Sequence, residues 1–232
     1  MYRIGIIGAM EEEVTLLRNK IKEKELYQIA GMDFYKGIID NNEMVVVRCG
    51  IGKVNAAVCT QALIDNFKVD YIINTGVAGA IYSELEIGDI VISEDAIQHD
   101  FDTRAFGYPI GVIPRMEESF FKADDKLIDI AYESSKKLNL KCKVYIGRIA
   151  SGDQFISDVD KNRRIWELFN AYCTEMEGAA IAQTCYLNKV PFVIIRAISD
   201  KADQSAKVNF QEFVDEAATN SNDITIEILK YL

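Results

Sequence analysis

The sequence predicts an α/β fold built on a mixed sheet, from three observations. Short apolar runs alternate with stretches of helical period along the 232 residues, the pattern of strands and helices layered on one sheet. Phe34–Ile39 and Met44–Cys49 are separated only by Asp40-Asn41-Asn42-Glu43, which reads as an antiparallel hairpin. The run Val190-Pro191-Phe192-Val193-Ile194-Ile195-Arg196-Ala197-Ile198-Ser199-Asp200 is almost unbroken in apolar character. Such a run belongs to a strand covered on both faces at the centre of a parallel sheet.

The first strand reads as Arg3–Ile7 and the first helix as Glu11–Lys22. At about 100° per residue, Met10, Val14, Leu17 and Ile21 form one apolar stripe. Glu12 then points to water, while Glu11 and Glu13 flank the stripe on opposite sides. Either is placed to reach inward, and a fully solvated acidic first turn, favoured by the helix dipole, stays open as well. After the hairpin, Gly50-Ile51-Gly52 turns the chain into a helix over Val54–Phe67. A strand at Tyr71–Thr75 leads to Gly76-Val77-Ala78-Gly79-Ala80, read as a second small-residue turn, and a further strand follows at Asp89–Ser93. Glu94–Phe121 fits neither period; it holds His99, Pro109, Pro114 and several aromatics. An irregular stretch of that length is expected to be a lid or an interface. Beyond it come a helix at Asp124–Leu138, a strand at Lys143–Ala150, and the turn Ser151-Gly152-Asp153-Gln154-Phe155-Ile156. Next are a helix at Asp158–Phe169, a short strand before Glu175-Met176-Glu177, and a helix at Glu177–Leu187. The buried strand Phe192–Ser199 and a last helix at Phe210–Leu232 complete the order. No repeat, low-complexity tract or linker interrupts it, so residues 1–232 read as one domain.

A net charge of −10 argues against a nucleic-acid surface, which needs a basic stripe. No apolar stretch approaches the roughly 20 residues of a membrane span. The apolar start Ile4–Ile7 is too short for a signal-peptide core and is followed by three Glu, which points to a cytoplasmic protein. The five Cys form no C-x-x-C and are odd in number, as for reduced, buried thiols.

Ligands of open α/β sheets bind beyond the carboxyl ends of the strands. Asp200 stands at such an end, and Glu11-Glu12-Glu13 and Glu175-Met176-Glu177 stand at comparable places. With a single His in the chain, proton chemistry here falls to carboxylates. Arg196, inside the buried run, requires an acidic partner; Glu13, Glu175 and Glu177 are the candidates. Gly50-Ile51-Gly52-Lys53-Val54-Asn55 fails as a dinucleotide loop because Asn55 takes the third glycine position. It fails as a P-loop because Val54 replaces the Ser or Thr that a magnesium ion needs. His99-Asp100 with Asp102 lacks the further His or Cys of a zinc site, and no G-x-S-x-G elbow accompanies His99. Phe155, after a glycine turn at a strand end, suits stacking on a flat ligand, although a plain β-α connection fits this segment too.

Taken in order, Gly5-Ile6-Ile7-Gly8-Ala9-Met10-Glu11-Glu12-Glu13-Val14, Gly50-Ile51-Gly52-Lys53-Val54-Asn55-Ala56-Ala57, Ile73-Asn74-Thr75-Gly76, Ala105-Phe106-Gly107-Tyr108, Ser151-Gly152-Asp153, Glu175-Met176-Glu177 and Arg196-Ala197-Ile198-Ser199-Asp200 resemble the 5′-methylthioadenosine/S-adenosylhomocysteine nucleosidases. The match runs from residue 3 to the last helix. The resemblance implies a single-domain nucleoside phosphorylase-like fold with a mixed, barrel-like sheet flanked by helices, usually a homodimer, with no metal or organic cofactor. It implies hydrolysis of the N-glycosidic bond of both thioether nucleosides to adenine and a 5-thio-substituted ribose, with 5′-deoxyadenosine as a further substrate. Asp200 matches the general acid that protonates adenine N7, and Glu13 the carboxylate that holds and deprotonates the attacking water. Glu177 matches the ligand of the ribose diol, Met176 the residue packed on the sugar, and Arg196 an arginine beside the water. Phe155 would stack on adenine while the Ile156 backbone reads its edge. Met10, Ile51 and Phe210 would line the sugar and thioalkyl pocket. Ala78, Gly79, Glu175 and Ser199 complete the substrate contacts, and Phe106 and Pro114 would reach into the partner subunit's pocket. An acid and a water-activating carboxylate on opposite faces of the sugar is the inverting arrangement of glycosidases. One departure stands out: the family often has Ser where this chain has Val77.

Three rival readings accompany this one. A purine or methylthioadenosine phosphorylase would carry phosphate-binding arginines where this chain has Ala9-Met10-Glu11 and Asn74, and like charges there repel phosphate. An AMP or futalosine nucleosidase would want basic residues near Phe210, where only Lys201 and Lys207 are close. A catalytically silent adenosine-type binder rests on Val77 alone.

Overall fold

The structure is a computed structural model that describes residues 2–138 and 140–232. Ten strands form one mixed sheet. The strands are β1 (Arg3–Gly8), β2 (Lys22–Ile29), β3 (Met32–Ile39), β4 (Asn42–Arg48), β5 (Tyr71–Ala80), β6 (Ile90–Gln98), β7 (Phe121–Lys122), β8 (Val144–Ser151), β9 (Cys173–Glu175) and β10 (Phe192–Asp200). The helices are α1 (Glu11–Lys20), α2 (Lys53–Phe67), α3 (Asp125–Lys137), α4 (Val159–Phe169), α5 (Gly178–Asn188) and α6 (Ala206–Ile228). β5, β10, β6, β8 and β9 pair in a closed ring, because β10 bonds to both β5 and β6 and β9 returns to β5. β1, β4, β3 and β2 continue the sheet outward from β5. This is the mixed α/β sheet that the strand and helix pattern predicts, closed into the barrel that the family resemblance implies.

The core follows from the strand composition. β10 is buried at every position, and β5 at all but its first. Both are covered by helices: α6 packs on β5 and β10, and α1 packs on α6. β1, β4, β5 and β10 run parallel to their neighbours along this part of the sheet. Their carboxyl ends therefore open on one side, where the acidic residues gather.

Several elements differ from expectation, four of them in ways that bear on the site or the sheet. β2 has no counterpart among the strands read from the sequence, because Lys22-Glu23-Lys24-Glu25 hides any apolar alternation; the strand is mostly exposed and forms the sheet edge, where charge deters pairing with other chains. Gly76–Ala80 is not a turn but the second half of β5. Its glycines serve close approach rather than reversal: a β-carbon on Gly76 would run into the Glu13 carboxylate, and one on Gly79 would lie 2.8 Å from Asp200 Oδ1. β6 runs on to Gln98, past a register irregularity between Ser93 and Ala96; such a bulge breaks the period-two signal. α6 begins at Ala206, four residues before Phe210.

Candidate active site

Glu13 sits in the first turn of α1, immediately after β1, and is only 4% exposed. Its Oε2 accepts the N–H groups of Ala9 at 2.6 Å and Met10 at 2.9 Å. Its Oε1 accepts the Val77 N–H at 3.0 Å. Helix geometry alone leaves Glu11 and Glu13 open; Glu11 is exposed and pairs with Arg18 instead. Burial pushes the Glu13 carboxyl above its ordinary value, against the pull of nearby Arg196 and of the three N–H donors. Val77 serves this carboxylate through its main-chain N–H and not through its side chain.

Arg196 is buried in β10, and its partner is Glu175: Nη2 lies 2.7 Å from Glu175 Oε2, with both side chains at most 3% exposed. The same nitrogen donates to Asn74 Oδ1, whose amide in turn donates to the Ile7 carbonyl at 2.9 Å. Glu175 also accepts the Ser151 hydroxyl and the Gly178 N–H, the latter at 2.7 Å. Burial opposes charge on Glu175, but Arg196 and these donors outweigh it and hold the carboxyl below its ordinary value. Glu175 is thus held toward its anionic form by Arg196, whose buried guanidinium it compensates.

Glu177 caps α5, and its Oε1 accepts the Gly52 N–H at 2.7 Å. Burial, reinforced by the Glu175 charge, pushes its carboxyl up to about 8. Asp200 ends β10 and is 2% exposed. Its Oδ1 accepts the Ala202 N–H at 2.8 Å and its Oδ2 the Ser199 hydroxyl at 2.9 Å. Burial raises the Asp200 carboxyl, with a smaller contribution from Asp203, despite those two donors. Three carboxyls raised by burial and one lowered by an ion pair therefore share the carboxyl-end face. Such divergence marks acid–base sites.

A narrow cavity of about 30 Å³ opens beside Asp200, and Gly79, Phe155, Ile156, Glu175 and Met176 line it. Gln154 and Thr174 line it too; neither stands out in the sequence. The Phe155 ring meets Phe210 edge-on at 5.9 Å, which brings together two aromatics 55 positions apart. Ile51 is 56% exposed beside the Gly52 turn, and Met10 is half-buried at the start of α1. Ala78 and Ser199 are buried next to Gly79 and Asp200, and the Ser199 hydroxyl also lies 3.4 Å from the Ala78 carbonyl. Phe106 and Pro114 stand apart: neither lines this cavity, and Phe106, on a 3-10 turn, is 80% exposed. A larger cavity of about 250 Å³ lies behind the same loop, bordered by His99, Arg104 and Ile156, and includes none of the predicted carboxylates. Among the described residues, no group of three His, Cys, Asp or Glu is arranged to hold a metal ion. None of the described helices is long and apolar enough to cross a membrane.

The model of the phosphorylase superfamily matches residues 3–230. A 5′-methylthioadenosine/S-adenosylhomocysteine nucleosidase of Staphylococcus carnosus (strain TM300) is 49% identical over 99% of this chain and 100% of its own length. This chain is a 5′-methylthioadenosine/S-adenosylhomocysteine nucleosidase family member. Among solved structures, the Neisseria meningitidis nucleosidase in complex with methylthio-immucillin-A superposes with a TM-score of 0.96 at 40% identity, covering all of both chains. A futalosine hydrolase of Helicobacter pylori superposes at 0.95 and 34% identity, covering 100% of this chain and 98% of its own.

Against this family background, the residues that escape sequence reasoning are supports. Ser221, in the middle of α6, accepts the Gly76 N–H at 3.1 Å and lies 2.7 Å from the Thr75 hydroxyl, which braces β5 behind Glu13. A serine among the polar residues of a long helix carries no sign of such a role. Ser151 belongs to a recognisable motif, yet its link to Glu175 and its acceptance of the Ala179 N–H at 2.7 Å emerge only from the barrel register.

Proposed function

We propose that this protein hydrolyses the N-glycosidic bond of 5′-methylthioadenosine and S-adenosylhomocysteine, releasing adenine and a 5-thio-substituted ribose. The observation that carries the chemistry is a pair of buried carboxyls, Asp200 and Glu13, each with its own set of partners. Asp200 is a carboxyl whose ionisation is opposed by burial, beside a narrow cavity that Phe155 also lines. Glu13 is a buried carboxyl on which three main-chain N–H groups converge.

In this reading Asp200 gives its proton to adenine N7, so that the base departs neutral rather than as an anion. Glu13 takes a proton from the water that attacks C1′ as the ribose gains oxocarbenium character. A raised value makes Glu13 the stronger base and Asp200 the more available acid near neutral pH. Glu177 holds the ribose 2′- and 3′-hydroxyls, and a carboxyl neutral below about pH 8 both donates to and accepts from a diol. Phe155 stacks on the base, the Ile156 main chain reads its edge, and Met10, Ile51 and Phe210 enclose the sugar and the thioalkyl group. The exposed Phe106, with Pro114, completes the pocket of a second copy in a homodimer. We read residues 1–232 as one domain working in the cytoplasm.

The likeness to a futalosine hydrolase favours one second reading, a nucleosidase acting on a substrate with a larger 5′ group. Release of the free purine base, adenine from 5′-methylthioadenosine and S-adenosylhomocysteine and hypoxanthine from futalosine, each in phosphate-free buffer and again with phosphate, tests both. The expected result is phosphate-independent release from the first two. Release from futalosine alone would favour the second reading. A strict need for phosphate would make the enzyme a phosphorylase, and binding without release would leave a silent binder.

A further inference from the structure

Two sequence motifs have no part in the chemistry above. One is the Gly52-Lys53 pair, which matches no phosphate loop, and the other is His99-Asp100, which has no metal set. In the folded chain they meet. Lys53 Nζ lies 2.6 Å from Asp100 Oδ1 and 2.9 Å from Gln98 Oε1. The second Asp100 oxygen accepts the Asp153 N–H at 2.9 Å. Asp153 Oδ1 accepts the Lys53 N–H at 2.8 Å, which closes a ring across three segments. Glycines permit the approach. Gly52 has φ 98°, and a β-carbon there would sit 3.2 Å from Asp153 Oδ1; a β-carbon on Gly152 would strike the His99 ring.

Lys53 and Asp153 are each a step or two from a residue of the site, and Asp100 lies six positions before Phe106. Lys53 follows Gly52, whose N–H is bonded to Glu177. Asp153 opens the turn that carries Phe155 and Ile156, and the preceding Gly152 N–H donates to the Glu175 carbonyl at 3.1 Å. Asp100 follows β6 at the start of the segment that ends in Phe106. An exposed ion pair in such a place would contribute little. This one has side chains only 18% and 14% exposed, and the Asp100 carboxylate also accepts the Asp153 N–H, while the Lys53 N–H is bonded to Asp153. Charge-assisted bonds of that kind are the strong ones.

We infer that Lys53 and Asp100 are positioning residues of the nucleosidase: their ion pair, joined by Asp153, fixes the Gly52 turn that holds Glu177 and the turn that holds the base in a single register. The inference rests on the function proposed above, since it assigns one turn to the sugar and the other to adenine. The bond to be broken runs between those two moieties, and small misplacements of reacting groups are costly.

The test compares wild type with Lys53→Met, Lys53→Arg, Asp100→Asn and the Lys53→Met/Asp100→Asn double variant. The measurements are kcat and KM on 5′-methylthioadenosine, Kd for adenine by calorimetry, and Tm. Each single loss is expected to raise KM by about tenfold or more, the scale of a charge-assisted bond. Lys53→Arg should recover most of that loss. The double variant should be no worse than the worse single, because the pair acts as one unit. A lowered Tm with KM and kcat unchanged, or losses that multiply in the double variant, would overturn the inference. If Lys53→Met fails to fold, Asp100→Asn and Lys53→Arg carry the comparison. If wild type releases no adenine, the nucleosidase reading fails by itself. The clamp is then judged by adenine affinity, where an unchanged Kd in the variants overturns it and a roughly tenfold weaker one supports it.

Discussion

The four buried carboxyls of the site are close together in space and differ in the donors around them. Burial acts on all of them, and the partner decides the outcome. Glu175 has a guanidinium and is held ionised; Asp200 has one N–H and one hydroxyl and is pushed toward its neutral form. For Asp200 this fixes the sign of the pH dependence. The proton to be donated is lost as pH rises through the raised value, so kcat/KM should fall on the alkaline side. Asp200→Asn should remove that limb and lower kcat by about 10²–10⁴-fold, with nucleoside binding kept within a few-fold. Near-normal turnover in this variant would exclude Asp200 as the acid. Glu177 carries a different prediction. Its carboxyl is at about 8 in the folded chain against an ordinary 4.5, so the folded state keeps a proton that the unfolded chain releases. Stability contributed by this group is complete below pH 4.5 and is lost as pH rises through 8, by at most about 1.4 kcal/mol per pH unit. Glu177→Gln has no such proton to lose, and its amide oxygen can still accept the Gly52 N–H. Its Tm, compared with wild type, should therefore improve steadily between about pH 5 and pH 8; a gap that stays constant over that range would show that Glu177 is not held neutral.

At the scale of elements, the site depends on how closely β5 approaches α1 and β10. Gly76 faces the Glu13 carboxylate with no room for a β-carbon, and Arg196 Nη1 would be 3.3 Å from the same carbon. Gly76→Ala should displace Glu13 before it unfolds the strand. The expected result is a loss of about 1–3 kcal/mol in denaturant titration, typical of overpacking, with a fall in kcat larger than the stability loss accounts for. Wild-type turnover by the folded fraction would disprove the close approach. This tightness also explains what the sequence discloses about the elements. β10 is legible because nine consecutive buried residues leave an apolar run that only a central strand produces. The far half of β5 is not, since Gly76-Val77-Ala78-Gly79 has the composition of a turn, and its extended form is imposed by pairing with β10 on one side and β9 on the other. The site divides in the same way. Asp200 is readable from its place at a strand end. The choice of Glu13 over Glu11 by geometry, and of Glu175 as partner of Arg196, requires the three-dimensional register, because nothing local to the chain distinguishes adjacent carboxylates.

For the whole molecule, the exposed apolar side chains bear on assembly. Ile51, Val54, Val58 and Phe106 are all exposed apolar side chains, of the kind that an interface between two copies would cover. Proposed as a dimer, the enzyme should complement in trans. Phe106→Ala alone should raise KM, and Asp200→Asn alone should be inactive. A mixture refolded together should regain part of the activity, because a pocket with an intact Asp200 can then receive an intact Phe106 from its neighbour. Sedimentation of both variants as dimers, with no gain on mixing, would place Phe106 outside the partner's pocket.

The ring of β5, β10, β6, β8 and β9 closes through a strand that ends at Asp200, while Glu13 lies almost at the other extreme of the chain. A ribosome making this protein therefore releases Glu13, and then the turn at Phe155, before the strand that bears Asp200. Contacts of such sequence separation form late. Until that strand slots between β5 and β6 the ring stays open and Asp200 is absent from the site, and α6, which carries Phe210, follows later still.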